Sequence, residues 1–125
     1  MDNVEIVQSA YEAFARGDVA GVLAVLDPGV TWSAPLTLPQ GGTFTGPDGV
    51  ATFFAGIGAA WESLSLEMVA LGAVSGEQVV GVVRGSGRLR TGAEGAYGAA
   101  HVFTLAGGKV VRFDEYTDLD APLPR

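Results

Sequence analysis

Residues 101–118 read HVFTLAGGKVVRFDEYTD. They carry the chain's single histidine and several acids on two runs of β-branched and aromatic residues joined by Gly107-Gly108. Such a pattern predicts a β-hairpin, and the faces of that hairpin decide which titrating groups share an environment. A loop of Ala106-Gly107-Gly108, with Gly108 left-handed, sets His101 opposite Phe113 and Ala99 opposite Glu115. One face then holds His101, Phe103, Leu105, Val111, Phe113 and Glu115, and the other holds Thr104, Arg112, Asp114 and Tyr116. A two-residue loop instead brings His101 against Asp114 and parts Phe103 from Phe113. The three-residue loop sorts apolar from polar side chains and is the register expected. It makes His101 and Glu115 diagonal neighbours on an otherwise apolar face, within roughly 8 Å at their Cβ atoms.

Upstream of the hairpin the periodicity is that of strands as far back as Leu64. Leu64–Val74, Gln78–Leu89, Ala96–Leu105 and Lys109–Leu119 are rich in valine and aromatics, with turns at Ser75-Gly76, Thr91-Gly92 and Gly107-Gly108. Glycines 81, 85, 87, 95 and 98 suggest bulges and bending. Before Leu64 the spacing is helical. Val4, Val7, Tyr11 and Phe14 follow a cap at Asp2 or Asn3, and Arg16-Gly17 ends that helix. Asp18 caps a second helix through Val19, Val22, Leu23 and Leu26, stopped at Asp27-Pro28-Gly29. Val30–Ala34 reads as a short strand and Pro35–Gly46 as a loop of binding-site length. Pro47 opens a third helix with Val50, Phe53, Phe54 and Ile57 on one side. Three helices followed by four hairpin-linked strands make a single α+β domain over residues 1–125: a cone of curved antiparallel sheet wrapped around the helices.

Composition narrows the function. At 125 residues with 48% hydrophobic and 17% charged residues, the chain can bury a sizeable core. Without cysteine there is no disulfide or thiolate chemistry. Seven basic against fourteen acidic residues leave a net charge of −7, unfavourable for nucleic acid or an anionic membrane surface. No leader segment and no apolar run of membrane-spanning length is seen, so a cytoplasmic location is expected. One histidine with scattered acids is a poor metal set, and no Gly-rich phosphate loop precedes a helix, so neither metal nor cofactor is expected.

An imidazole beside a carboxyl group in apolar surroundings fits acid/base work, because burial raises a carboxyl pKa while a neighbouring cation lowers it. It also fits a satisfied polar contact in a core. Arg84, in VVGVVRGSG, alternates with Val80, Val82 and Ser86. On a concave face it would orient a ligand oxygen or pair with Glu115, and on the other it is solvated. Phe14, Trp32, Phe54, Trp61 and Phe113 are candidates either for a ligand cavity or for plain core. Tyr11 and Tyr116 are further hydroxyl donors, Tyr116 on the face away from Glu115.

The order of elements resembles the nuclear transport factor 2-like superfamily, in its SnoaL-like polyketide cyclase and ketosteroid isomerase-like branch. The resemblance covers nearly the whole chain. It is carried by YEAFARGD (11–18), VTWSAP (30–35), Gly46-Pro47-Asp48-Gly49-Val50 with Phe53-Phe54, and the closing GK(V/I)-x-R-(F/W/Y)-x-(E/D)-Y-x-D pattern. It implies one deep apolar pocket, with Glu115 at the position of the cyclases' acid/base and His101 at that of their pocket histidine. It also implies a homodimer through the sheet surface and, as partner, a small hydrophobic ligand. Ala99 replaces a polar pocket residue of the cyclases. Against ketosteroid isomerases, Ala34 stands at the base and Ala10 at the oxyanion-hole tyrosine, so steroid isomerisation by that route is not expected. An epoxide hydrolase-like site needs two carboxylates bridged by arginine, whereas Gln78–Arg90 contains no acid. The expected activity is cofactor-independent acid/base chemistry on a small hydrophobic carbonyl compound: cyclisation, isomerisation or dehydration. The alternatives are a non-catalytic binder of hydrophobic ligands and an epoxide hydrolase-like enzyme.

Overall fold

The computed structural model describes residues 1–117. Its elements run α1 (Asn3–Ala15), α2 (Val19–Leu23), β1 (Leu26–Ala34), β2 (Gly42–Thr45), α3 (Gly46–Ala60), β3 (Trp61–Ala73), β4 (Gln78–Leu89), β5 (Glu94–Ala106) and β6 (Lys109–Thr117). One six-stranded sheet has the order β2-β1-β6-β5-β4-β3. All neighbours are antiparallel except β1 and β6, which run parallel, so the sheet is mostly rather than wholly antiparallel. The last strand therefore lies inside the sheet, flanked on both sides, which is why its apolar residues can be buried.

Asp2 caps α1 in a capping box with Glu5, each side chain bonding the other's backbone N–H. Gly17, at φ 73°, turns the chain left-handed after α1, and Asp18 caps α2 through the Gly21 amide at 2.9 Å. The second helix is shorter than the spacing of Val19, Val22, Leu23 and Leu26 suggests. Leu26 already belongs to β1, where it is buried and pairs with Val110. The Asp27-Pro28-Gly29 turn exists, with the Gly29 amide donating to Asp27, but it is a break within β1. Likewise, part of the expected Pro35–Gly46 loop is strand: Gly42–Thr45 pairs with Thr31–Ala34.

The helices pack on one face of the sheet, and the main core lies between them. Ile6, Val7, Val50 and Phe53 meet Val30, Trp32, Val79, Phe103, Val110 and Phe113 there. In β4 and β5 the glycines do not mark bulges, for the two strands pair without interruption from Gln78 to Arg88; the breaks fall in β3 instead. The glycines make room. A Cβ at Gly81 would lie 2.6 Å from the Tyr11 hydroxyl, and one at Gly85 would lie 2.5 Å from the Tyr97 ring. Asp118 and Leu119, expected to end the last strand, lie outside the described residues. Among the described residues no helix is long and apolar enough to cross a membrane.

Candidate functional site

The β5–β6 hairpin adopts neither of the two simple registers. Its turn is the two-residue Gly107-Gly108, both left-handed at φ 59° and 78°, as such a turn requires. The pairing then slips by one residue, Leu105 opposite Val110 but Thr104 opposite Arg112, leaving Val111 as a bulge. That extra residue restores the sorting of faces. Phe103 now meets Phe113, and His101 lies directly across from Glu115 instead of diagonally. Val110, in place of Val111, is the residue turned to the core.

His101 Nε2 and Glu115 Oε2 are 2.8 Å apart, and the two residues are only 6% and 8% exposed. The other ring nitrogen, Nδ1, is 2.6 Å from the Tyr11 hydroxyl. A Glu115 carboxylate can only accept, so Nε2 donates to it, and in a neutral imidazole Nδ1 then accepts from the Tyr11 O–H. Both ring nitrogens of His101 and the Tyr11 hydroxyl are then bonded. Burial, and secondarily the negative charge of Glu115, raise the Tyr11 pKa far above 10.0, so its hydroxyl keeps its proton. The same two causes raise the Tyr97 pKa. Tyr11 and the space at Gly81 were not legible as partners of His101, because the contact spans 90 residues between a helix and a strand. The resemblance pointed to Ala10; the hydroxyl comes from the next residue.

These groups line a small cavity of about 60 Å³ between α1, α3 and the sheet. Phe14, Trp32, Phe54, Phe113, His101 and Glu115 all border it, together with Tyr97 and Gln40 among others. A second cleft of about 290 Å³, between α1 and the β3–β4 strands, shares Tyr11, Phe14 and Leu66 with the first. Two candidates fall elsewhere. Trp61 is buried behind the wall, where its Nε1–H donates to Gln40 Oε1 at 3.1 Å and fixes that lining residue. Arg84 is exposed on the outer face, opposite Glu67 of β3, because the buried alternation in β4 is Val79, Gly81, Val83 and Gly85. Its backbone parity excludes it from the cavity and from Glu115. Tyr116 is exposed on the outer face. Among the described residues no three His, Cys, Asp or Glu side chains gather as a metal site.

Three helices on one face of a mostly antiparallel six-stranded sheet, enclosing a cavity, define the NTF2-like fold. Within it the chain belongs to the SnoaL-like domain family, whose model matches residues 7–113. An NTF2-like protein from Burkholderia thailandensis E264 is 32% identical, with a TM-score of 0.88 over 94% of this chain and 92% of its own. One of unknown function from Burkholderia pseudomallei K96243 is 30% identical, with a TM-score of 0.85 over the same shares. TerC, co-crystallised with polyporic acid, is 26% identical, with a TM-score of 0.79 over 95% of this chain and 93% of its own. A comparison with curated proteins finds no match.

Proposed function

We propose that this protein is a cofactor-independent acid/base enzyme acting on a small hydrophobic carbonyl compound, by polyketide-like cyclisation, isomerisation or dehydration. The observation that carries the reading is the buried 2.8 Å contact of His101 with Glu115 on the wall of an otherwise apolar cavity. Glu115 is the proton shuttle. It removes a proton from the carbon beside the carbonyl, and the bonding pair moves onto the carbonyl oxygen as an enolate. Returning the proton to another carbon isomerises the substrate. If the enolate carbon instead attacks a second carbonyl, a ring closes and the protonated Glu115 gives its proton to the new alkoxide.

His101 positions Glu115. Both of its nitrogens are engaged, so while those bonds hold it does not bind the substrate oxygen itself. The apolar walls exclude water, which would otherwise solvate the carboxylate and weaken it as a base. The inner cavity is below the usual size of a ligand pocket, about 300 Å³ or more, so a larger substrate places its reacting end there and its remainder in the adjoining cleft. That TerC was crystallised with polyporic acid supports an organic ligand in this fold.

A non-catalytic carrier is the second reading, favoured by buried Ala34 and Ala99 where the resemblance expects polar groups. Deuterium uptake from D2O by a panel of enones and aromatic polyketides distinguishes the two. The parent should exchange the protons beside the carbonyl, and Glu115→Gln should lose about 10²- to 10⁴-fold in rate. Unchanged exchange in Glu115→Gln removes Glu115 from the chemistry, and tight binding without exchange in the parent supports the carrier. We also propose a cytoplasmic homodimer, formed through the outer face of the sheet. Half-buried Val80, Val82, Ala100 and Val102 and the exposed Tyr116 support it.

A further inference from the structure

The two tryptophans are equally buried, at 5% exposure, but differ in what their N–H groups meet. Trp61 donates to Gln40. Trp32 has no acceptor for its Nε1–H among the described residues, although that atom is fully withdrawn from water. Buried indole donors are nearly always bonded, because an unpaired one has lost its water without replacement. Nor is the ring free to turn toward a partner. It is stacked on Phe113 at 3.9 Å between centroids and held against Phe53 at 5.7 Å and Phe54 at 5.9 Å. Apolar packing alone would be served by a phenyl ring at this position, which would leave nothing unbonded. Trp32 also lines the cavity of His101 and Glu115.

We infer that the Trp32 indole N–H becomes a hydrogen-bond donor to the ligand once the ligand displaces the side chains that cover it, engaging an acceptor oxygen of the carbonyl class. Its place in the sheet says which end of the ligand it meets. Trp32 pairs with Phe113, and Phe113 pairs with Phe103, two residues along β5 from His101. The strands of Trp32 and His101 are thus two spacings apart, about 10 Å, with the Phe113 ring between. A ligand lying over Phe113 with one oxygen toward Trp32 turns its other end, with the carbonyl that reacts, to Glu115. Both nitrogens of His101 are engaged, so the indole stands with the Tyr97 hydroxyl and the Gln40 amide, which also border the cavity, as a donor for a ligand oxygen. Trp32 thereby selects ketones over hydrocarbons of the same shape. The inference takes the ligand site from the function proposed above but does not depend on Glu115 moving a proton.

The chain has two tryptophans, so two indole N–H signals are expected in a ¹⁵N–¹H spectrum, and Trp32→Phe identifies one of them. The probes are cyclohexanone and methylenecyclohexane, which differ by a carbonyl oxygen in place of a methylene. Cyclohexanone should move the Trp32 proton signal downfield and leave Trp61 in place, and methylenecyclohexane should move neither downfield. The preference for the ketone should fall roughly five- to tenfold in Trp32→Phe, the loss of one neutral hydrogen bond. The same downfield shift in Glu115→Gln would show that binding survives even if the proton chemistry does not. A Trp32 signal unmoved by saturating ketone, an undiminished ketone preference in Trp32→Phe, or no ketone binding at all would each overturn the inference. Should Trp32→Phe fail to fold, Trp61→Phe makes the same assignment and the spectrum of the parent decides the matter.

Discussion

Strand β6 carries two hydrogen-bonded contacts of a carboxyl group with a nitrogen-bearing side chain, of similar length, on its two faces. On the inner face Glu115 meets His101 at 2.8 Å, out of water and bordered by aromatic rings. On the outer face Asp114 meets Arg112 at 2.8 and 3.1 Å, with the guanidinium about half exposed. The inner contact leaves each partner dependent on the other, because a buried group without its partner has no water to replace it. The outer one is screened by solvent, and either partner can be rehydrated. Distance alone does not show which pair matters; the face does, and a single bulged residue at Val111 decides which acid occupies which face.

Removing an inner partner should have the largest effect. His101→Ala leaves Glu115 buried and unpaired and should destabilise the fold by about 3–5 kcal/mol, read as a lower denaturant midpoint at unchanged slope. A change close to zero would place Glu115 in contact with water and remove the contrast between the faces.

A smaller effect is expected in alkali. The pKa values of Tyr11 and Tyr97 are raised in the folded protein above their ordinary 10.0, first by burial and then by the charge of Glu115. Above pH 10 the unfolded chain therefore releases protons that the folded one retains. Stability is complete below pH 10 and falls as the pH rises beyond it, by at most about 1.4 kcal/mol per pH unit for each group. Tyr11→Phe should flatten the alkaline fall in melting temperature; an unaltered slope would mean that the Tyr11 hydroxyl is hydrated.

The smallest effect belongs to the outer face. Asp114→Asn should leave the melting temperature and any proton exchange within the scatter of the parent. A loss comparable to that of His101→Ala would show that the outer face is also shielded, as a dimer interface would make it.

Much of this was legible from residue spacing. The helical stretch to Phe14, the Pro47 helix, the hairpin turns and the shared face of His101 and Glu115 all depend on local periodicity. What was not legible depends on tertiary partners. Leu26 fits helical spacing as well as a strand, and only the neighbouring β6 decides for the strand. Strand β2 has a single large apolar residue, Phe44, amid glycine and threonine, and pairing with β1 creates it. The face of Arg84 was a matter of parity that alternation alone cannot settle. The glycines at 81 and 85 resembled bulges because the tyrosine rings that need their space come from distant parts of the chain. The family defines the fold, but the fold hosts many chemistries. The proposed function therefore rests on one buried trio, and the proposed ligand contact on one unbonded indole.

The proposed chemistry requires Glu115 to be a carboxylate held by a neutral His101 whose second nitrogen is occupied by Tyr11. Because the chain has a single histidine, ¹⁵N spectra of the labelled protein near pH 7.5 report that imidazole alone. A protonated Nε2 and an unprotonated Nδ1 are expected, with the Nδ1 resonance moving in Tyr11→Phe. A proton on Nδ1, with or without one on Nε2, would contradict it.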